Sequence, residues 1–134
     1  MADLEVVVAG GGNAALCAAI TAREKGAAVT LFESAPENMR GGNTRHTRNL
    51  RASHVEPLET LEDSYTEDEF WDDILKVTHG NTDENLTRLM IRQSPLLLSW
   101  LKARDVHFQP ALSGTLSLHR TNAFFLGGGK TLLN

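Results

Sequence analysis

The apolar positions along this chain follow two different periods. Leu4 to Ala9 is rich in valine and runs straight into three glycines, a short apolar run of the kind that forms a buried strand of a parallel sheet. Asn13 to Lys25 is dominated by alanine, with Leu16 and Ile20 four residues apart. That spacing predicts a helix, and Gly26 stands where a helix C-cap belongs. Ala28 to Phe32 reads as a second apolar strand, followed by Glu33. Strand, glycine turn, helix and strand within about 30 residues make a βαβ unit.

From Ser34 to Glu62 no period of 2 or 3.6 holds for long, and Pro36, Pro57 and paired glycines interrupt the chain. The stretch reads as mostly loop, and loops of this length are often functional. Thr66-Glu67-Asp68-Glu69 has the capping-box pattern. It predicts a helix to about Val77 with Phe70, Ile74 and Val77 on the buried face. His79-Gly80-Asn81 ends it. Another helix is expected from Thr82, burying Leu86, Leu89, Met90 and Gln93. Ser94-Pro95 fits either the start of a new helix from Leu96 to Ala103 or a kinked continuation. Val106 to Gln109 and Ser113 to His119 are strand candidates, and Gly127-Gly128-Gly129 opens a last helix.

Bulk properties narrow the class. The 134 residues are 41% hydrophobic and 22% charged, ordinary for a soluble globular domain. A net charge of -4 argues against a nucleic-acid partner held on a basic face. One cysteine, Cys17, rules out an internal disulfide and a cysteine metal cage; among alanines it reads as a small packed residue. The five histidines, 46, 54, 79, 107 and 119, have no helical pair spacing, so no metal site is expected. Acidic residues near Met1 do not fit a signal peptide. No apolar run nears the roughly 18 residues of a membrane span. A cytoplasmic protein is expected.

The chemistry sits in the first turn. Gly10, Gly12 and Ala15 satisfy G-x-G-x-x-G/A, with Gly11, Asn13 and Ala14 between them. Gly10 allows a tight turn, Gly12 lets the backbone approach a pyrophosphate, and Ala15 permits close helix–strand packing. The pyrophosphate would rest on the free N–H groups of the helix N-terminus. Glu33, with Ser34 beside it, lies about 20 residues on, the spacing at which a carboxylate takes the adenosine ribose and repels a 2′-phosphate. The βαβ unit alone does not decide between FAD and NAD.

Arg40-Gly41-Gly42-Asn43-Thr44 adds a second motif. With it, the chain from Leu4 to Thr44 resembles the fumarate reductase/succinate dehydrogenase flavoprotein family. There a Gly-Gly-Asn-Ser/Thr segment follows the second strand and lies along the flavin side of FAD. The likeness extends through Arg45 to Arg51 and through Arg120 to Lys130. It implies FAD as cofactor, held by Gly10, Gly11, Gly12, Asn13, Ala14, Ala15, Glu33, Ser34, Arg40, Gly41, Gly42, Asn43 and Thr44. It also implies a CH–CH oxidoreductase acting on a small polycarboxylate, with tricarballylate to aconitate as the specific expectation. An electron-acceptor protein or a quinone pathway would be its partner. Alternatives are an NAD-dependent oxidoreductase and a non-catalytic nucleotide-binding module.

Two departures matter. Where soluble relatives carry a Gly-Gly pair, this chain has Asn49-Leu50, so contacts beyond Thr44 are not carried over. Aligned through that pair, the histidine that holds flavin covalently in membrane-bound relatives falls on Asn43, not His46; non-covalent FAD is expected. Gly129-Lys130-Thr131 lacks the earlier glycine of a phosphate-binding P-loop, because Phe124 stands there. Arg120 reads as a surface or capping residue.

The expected architecture is α/β: a Rossmann-like FAD-binding βαβ unit, then a mainly helical segment, in an incomplete doubly wound domain. Residues 1–50 would be the N-terminal part of the FAD-binding domain. Residues 51–134 would be a helical segment and the start of the remaining FAD/substrate region. The family resemblance puts the catalytic residues beyond Asn134, so this stretch alone is expected to be inactive.

Overall fold

A computed structural model describes residues 4–111 and 117–133. It divides into two compact units, 1–47 with 127–134, and 48–126.

In the first unit, β1 (Glu5–Ala9) and β2 (Ala28–Phe32) pair in parallel, Glu5 opposite Ala28 through Ala9 opposite Phe32. Helix α1 (Asn13–Glu24) joins them and packs on both. The chain leaves α1 through Gly26, whose φ of +88° suits glycine. The strands were expected to be buried. Instead they alternate: Val6, Val8, Val29 and Leu31 are half-covered, while Val7 and Phe32 remain 64% and 63% exposed. A two-stranded parallel sheet with one helix has only one face to cover. Two 3-10 turns follow, Glu37–Met39 and Gly42–His46. The expected last helix is a 3-10 turn, Gly128–Leu132, packed against the second of these.

In the second unit, the stretch read as loop contains β3 (Asn49–Arg51), antiparallel to β4 (Asn122–Phe124), a strand the hydrophobic pattern did not predict. Residues 106–109 form no strand; Phe108 makes a single bridge to Phe125. Of the strand expected over Ser113 to His119, residues 113–116 lie outside the described residues, and Ser117–Arg120 is a 3-10 turn. Helix α2 (Glu67–Thr78) starts at the expected capping box: Thr66 Oγ1 accepts from Glu69 N–H at 3.2 Å, and Glu69 Oε2 accepts from Thr66 N–H at 2.9 Å. Phe70 is buried and Ile74 half-buried, but Val77, the penultimate residue of the helix, is 76% exposed.

Helix α3 (Glu84–Lys102) is continuous through Pro95. Its inner face is Thr87, Ile91, Ser94, Leu98 and Leu101, and the expected face of Leu86, Leu89, Met90 and Gln93 is exposed. Both stripes have helical spacing. Hydropathy favoured the wrong one because Thr87 and Ser94 are polar by type, yet both are satisfied inside. Thr87 Oγ1 lies 2.7 Å from Thr82 Oγ1, and Ser94 Oγ donates to Ile91 O at 2.7 Å. Two apolar clusters result. Ala52, Leu61, Leu98 and Ala123 form one, and Tyr65, Phe70 and Ile91 the other.

Candidate functional site

Residues 10–15 form the corner between β1 and α1. Gly10 takes φ +106°, which an L side chain avoids, and its N–H donates to Phe32 O at 2.7 Å. Gly12 is the N-cap of α1 and supplies no side-chain cap. Among the described residues, the N–H groups of Gly12, Ala14 and Ala15 meet no protein acceptor. Unsatisfied amides at a helix start are what an anionic group binds.

Glu33 leaves the end of β2 and turns onto this corner. Its Oε2 accepts from Gly11 N–H at 2.9 Å and from Gly41 N–H at 3.5 Å, while Oε1 accepts from Ala35 N–H at 2.9 Å. These amides, Ala35 foremost, hold the carboxyl below its ordinary value of 4.5, although partial burial acts the other way. A Cβ on Gly11 would fall 2.7 Å from Glu33 Oε2, so a larger residue there would push the carboxylate off this corner. Ser34 Oγ lies 3.5 Å from Glu33 Oε1 and is exposed.

The second motif meets the first. Gly41 takes φ +99° and starts the turn that carries Gly42, Asn43 and Thr44. Thr44 Oγ1 accepts from Asn13 N–H at 2.8 Å. A Cβ on Gly12 would lie 3.5 Å from both Gly41 O and Thr44 Oγ1, an ordinary contact distance. The fold therefore brings Gly11, Gly12, Asn13, Glu33, Gly41 and Thr44 together. Asn43 is exposed; its carbonyl accepts from Thr47 Oγ1 at 3.5 Å. Arg40 donates to Leu133 O at 2.9 Å. His46 is exposed, and Cys17 Sγ donates to Asn13 Oδ1 at 3.8 Å.

Sequence reasoning missed the role of Gly129. A Cβ there would fall 2.6 Å from Thr47 O and closer still to Thr44 O. The third glycine of the Gly127-Gly128-Gly129 run is needed because its backbone packs directly on the Thr44 turn, a long-range approach that no local pattern encodes. Arg45 and Lys130 were also passed over, and they border a cavity with Arg40. Arg120 ion-pairs with Glu69 and lies 3.6 Å from Asp63, in the second unit. No His/Cys/Asp/Glu cluster able to hold a metal exists among the described residues, and no described helix is long and apolar enough to cross a membrane.

The corner fits the adenosine-diphosphate half of a dinucleotide: bare amides at the helix start, no side chain in the way at Gly12, and a carboxylate alongside. Comparison with known proteins gives the same direction. One relative, NADH:fumarate oxidoreductase of Klebsiella pneumoniae (strain 342), is 30% identical over 122 residues, covering 88% of this chain. The chain spans only 13% of that relative's length. The family described as FAD binding domain matches residues 5–129, nearly the whole chain. The protein belongs to this FAD-binding-domain family, that of the fumarate reductase/succinate dehydrogenase flavoproteins, and FAD is its cofactor.

Proposed function

We propose that this chain is the cofactor-holding N-terminal portion of a flavoprotein oxidoreductase that acts on a CH–CH bond of a small polycarboxylate. Tricarballylate to aconitate is the substrate pair to test first. The observation that carries the reading is the Glu33 carboxylate seated on Gly11 beside the open amides of Gly12, Ala14 and Ala15. It supports a Rossmann-like arrangement in which the exposed Val7 and Phe32 would pack in a larger doubly wound domain.

Each residue has a task in this reading. Gly10 shapes the turn. Gly12, Ala14 and Ala15 present N–H groups to the diphosphate, while Gly11 and Asn13 hold Glu33 and Thr44 beside it. Glu33 takes the ribose hydroxyls, with Ser34 beside it. Gly41, Gly42 and Asn43 lie towards the flavin end. The flavin supplies hydride transfer when bound. Asn43 cannot form a covalent flavin link, so FAD is held non-covalently. Residues 1–50 belong to the FAD-binding domain, and 51–134 begin the remaining FAD/substrate region. Catalytic residues lie beyond Asn134. An electron-acceptor protein or quinone pathway completes turnover, in the cytoplasm.

The test uses full-length protein. Flavin absorption near ~450 nm should be present and should pass into the supernatant on acid precipitation. Anaerobic tricarballylate should bleach it. Bleached flavin that fumarate reoxidises, with no response to tricarballylate, would move the substrate to the dicarboxylates. Protein without flavin bands would refute the flavoenzyme reading.

A further inference from the structure

We propose that the cavity of about 630 Å³ bordered by Arg40, Arg45 and Lys130 is a binding site for a multiply charged oxyanion of the phosphate class. It lies within the first unit, and its remaining lining is Glu37, Asn38 and Leu133. Three cations thus face one acid.

Both guanidiniums are held in place by neutral groups. Arg40 Nη2 donates to Leu133 O at 2.9 Å. Arg45 Nη1 donates to Asn38 O at 2.9 Å and lies 3.5 Å from Met39 Sδ. Among the described residues neither meets a carboxylate, whereas in the second unit Arg51, Arg88, Lys102 and Arg120 each do. A guanidinium has five N–H donors in a rigid fork, so one anchoring bond leaves most of them for an anion. Like charges gathered round one cavity repel, and a bound anion removes that repulsion. The backbone that carries the third cation is anchored, because Gly129, next to Lys130, packs on the carbonyls of Thr44 and Thr47.

The oxyanion has two sources. Arg40 and Arg45 flank Gly41–Thr44, the segment that touches Gly12 and Asn13. The diphosphate of FAD is therefore one source, and this arm rests on the proposed function. A free phosphate-type anion is the other and does not depend on it.

Inorganic pyrophosphate titrated calorimetrically into the protein, before and after loading with FAD, tests the proposal. Saturable one-to-one binding is expected in the FAD-free protein. Arg40→Gln and Arg45→Gln should each weaken it about tenfold, as loss of a charge-assisted contact does. Lys130→Gln should weaken it less, and Lys76→Gln, on the exposed side of α2, should leave it unchanged. Circular dichroism confirms that each variant is folded. If FAD abolishes pyrophosphate binding and the Arg variants also weaken FAD, the diphosphate of FAD is the source. If pyrophosphate still binds the FAD-loaded protein, the site takes a separate anion. Wild-type protein that shows no saturable binding, or binding that all three variants leave intact, overturns the proposal. Intact FAD binding in that case would leave the proposed function standing.

Discussion

Glu33 Oε2 lies 2.9 Å from the amide nitrogen of Gly11 and accepts its hydrogen bond, so the end of β2 is tied to the first turn of the chain by one carboxylate. The same carboxylate collects Ala35 and Gly41, and three backbone amides favour its charged form.

The pH dependence follows from that. Glu33 has its folded-state value lowered below 4.5. Its contribution is therefore fully present above the unfolded value and is lost as pH falls through the depressed folded value. Thermal unfolding between pH 7 and pH 3 should show stability declining below about 4.5 in wild type. Glu33→Gln should be less stable at pH 7, with a shallower acid decline. Parallel curves for the two proteins would show that the carboxylate does not link these amides in solution.

Gly129→Ala should be disruptive although the change adds one methyl. The new Cβ would meet the backbone carbonyls of Thr44 and Thr47, which cannot rotate away as a side chain could. A cost of about 1–3 kcal/mol is expected from such overpacking, read by denaturant unfolding. Because the Thr44 turn would shift, affinity for FAD should fall as well. Gly42→Ala makes a useful contrast: its φ of +51° strains the backbone, but its Cβ would meet open space.

Ser94 compensates for its neighbour. Pro95 has no N–H to give to Ile91 O, the acceptor one turn back, and that carbonyl is buried. Ser94 Oγ donates to it at 2.7 Å, and Ser53 Oγ lies 3.3 Å away. Ser94 Oγ also accepts from Ser53 N–H at 3.0 Å. Ser94→Ala would strand the Ser53 N–H and leave Ile91 O with only the longer bond from Ser53 Oγ, at a cost of about 1–3 kcal/mol in chemical denaturation. Ser94→Ala with Pro95→Ala should recover part of this, since a backbone N–H would again reach Ile91 O. No recovery would mean that the Ser53 amide dominates the loss.

What could be seen in the sequence was what is local. The strand–turn–helix–strand order, the Thr66 capping box and the placing of Glu33 near the glycine corner all depend on residues close in the chain. Glu33 was expected to take the adenosine ribose, and its own bonds to Gly11 and Gly41 were not foreseen. The inner face of α3 was misread because Thr87 and Ser94 are polar by type and find partners only in the folded chain. β4 was missed because three residues, Asn122–Phe124, carry too little pattern to be recognised without β3 beside them. Gly129 and Lys130 reach the first unit from the far end of the chain, and only the fold brings them to the Thr44 turn.

Gly12 offers the most direct test of the central claim that bare amides at the head of α1 receive the diphosphate of FAD. Its φ of -78° is open to any L residue, and an added Cβ would make only ordinary contacts at 3.5 Å, so Gly12→Ala should fold like wild type. Calorimetric titration of FAD into the cofactor-free proteins should give one-to-one binding for wild type and at least about tenfold weaker binding for Gly12→Ala, as expected where a methyl blocks close approach of a phosphate. Equal affinity of the two proteins would contradict the account.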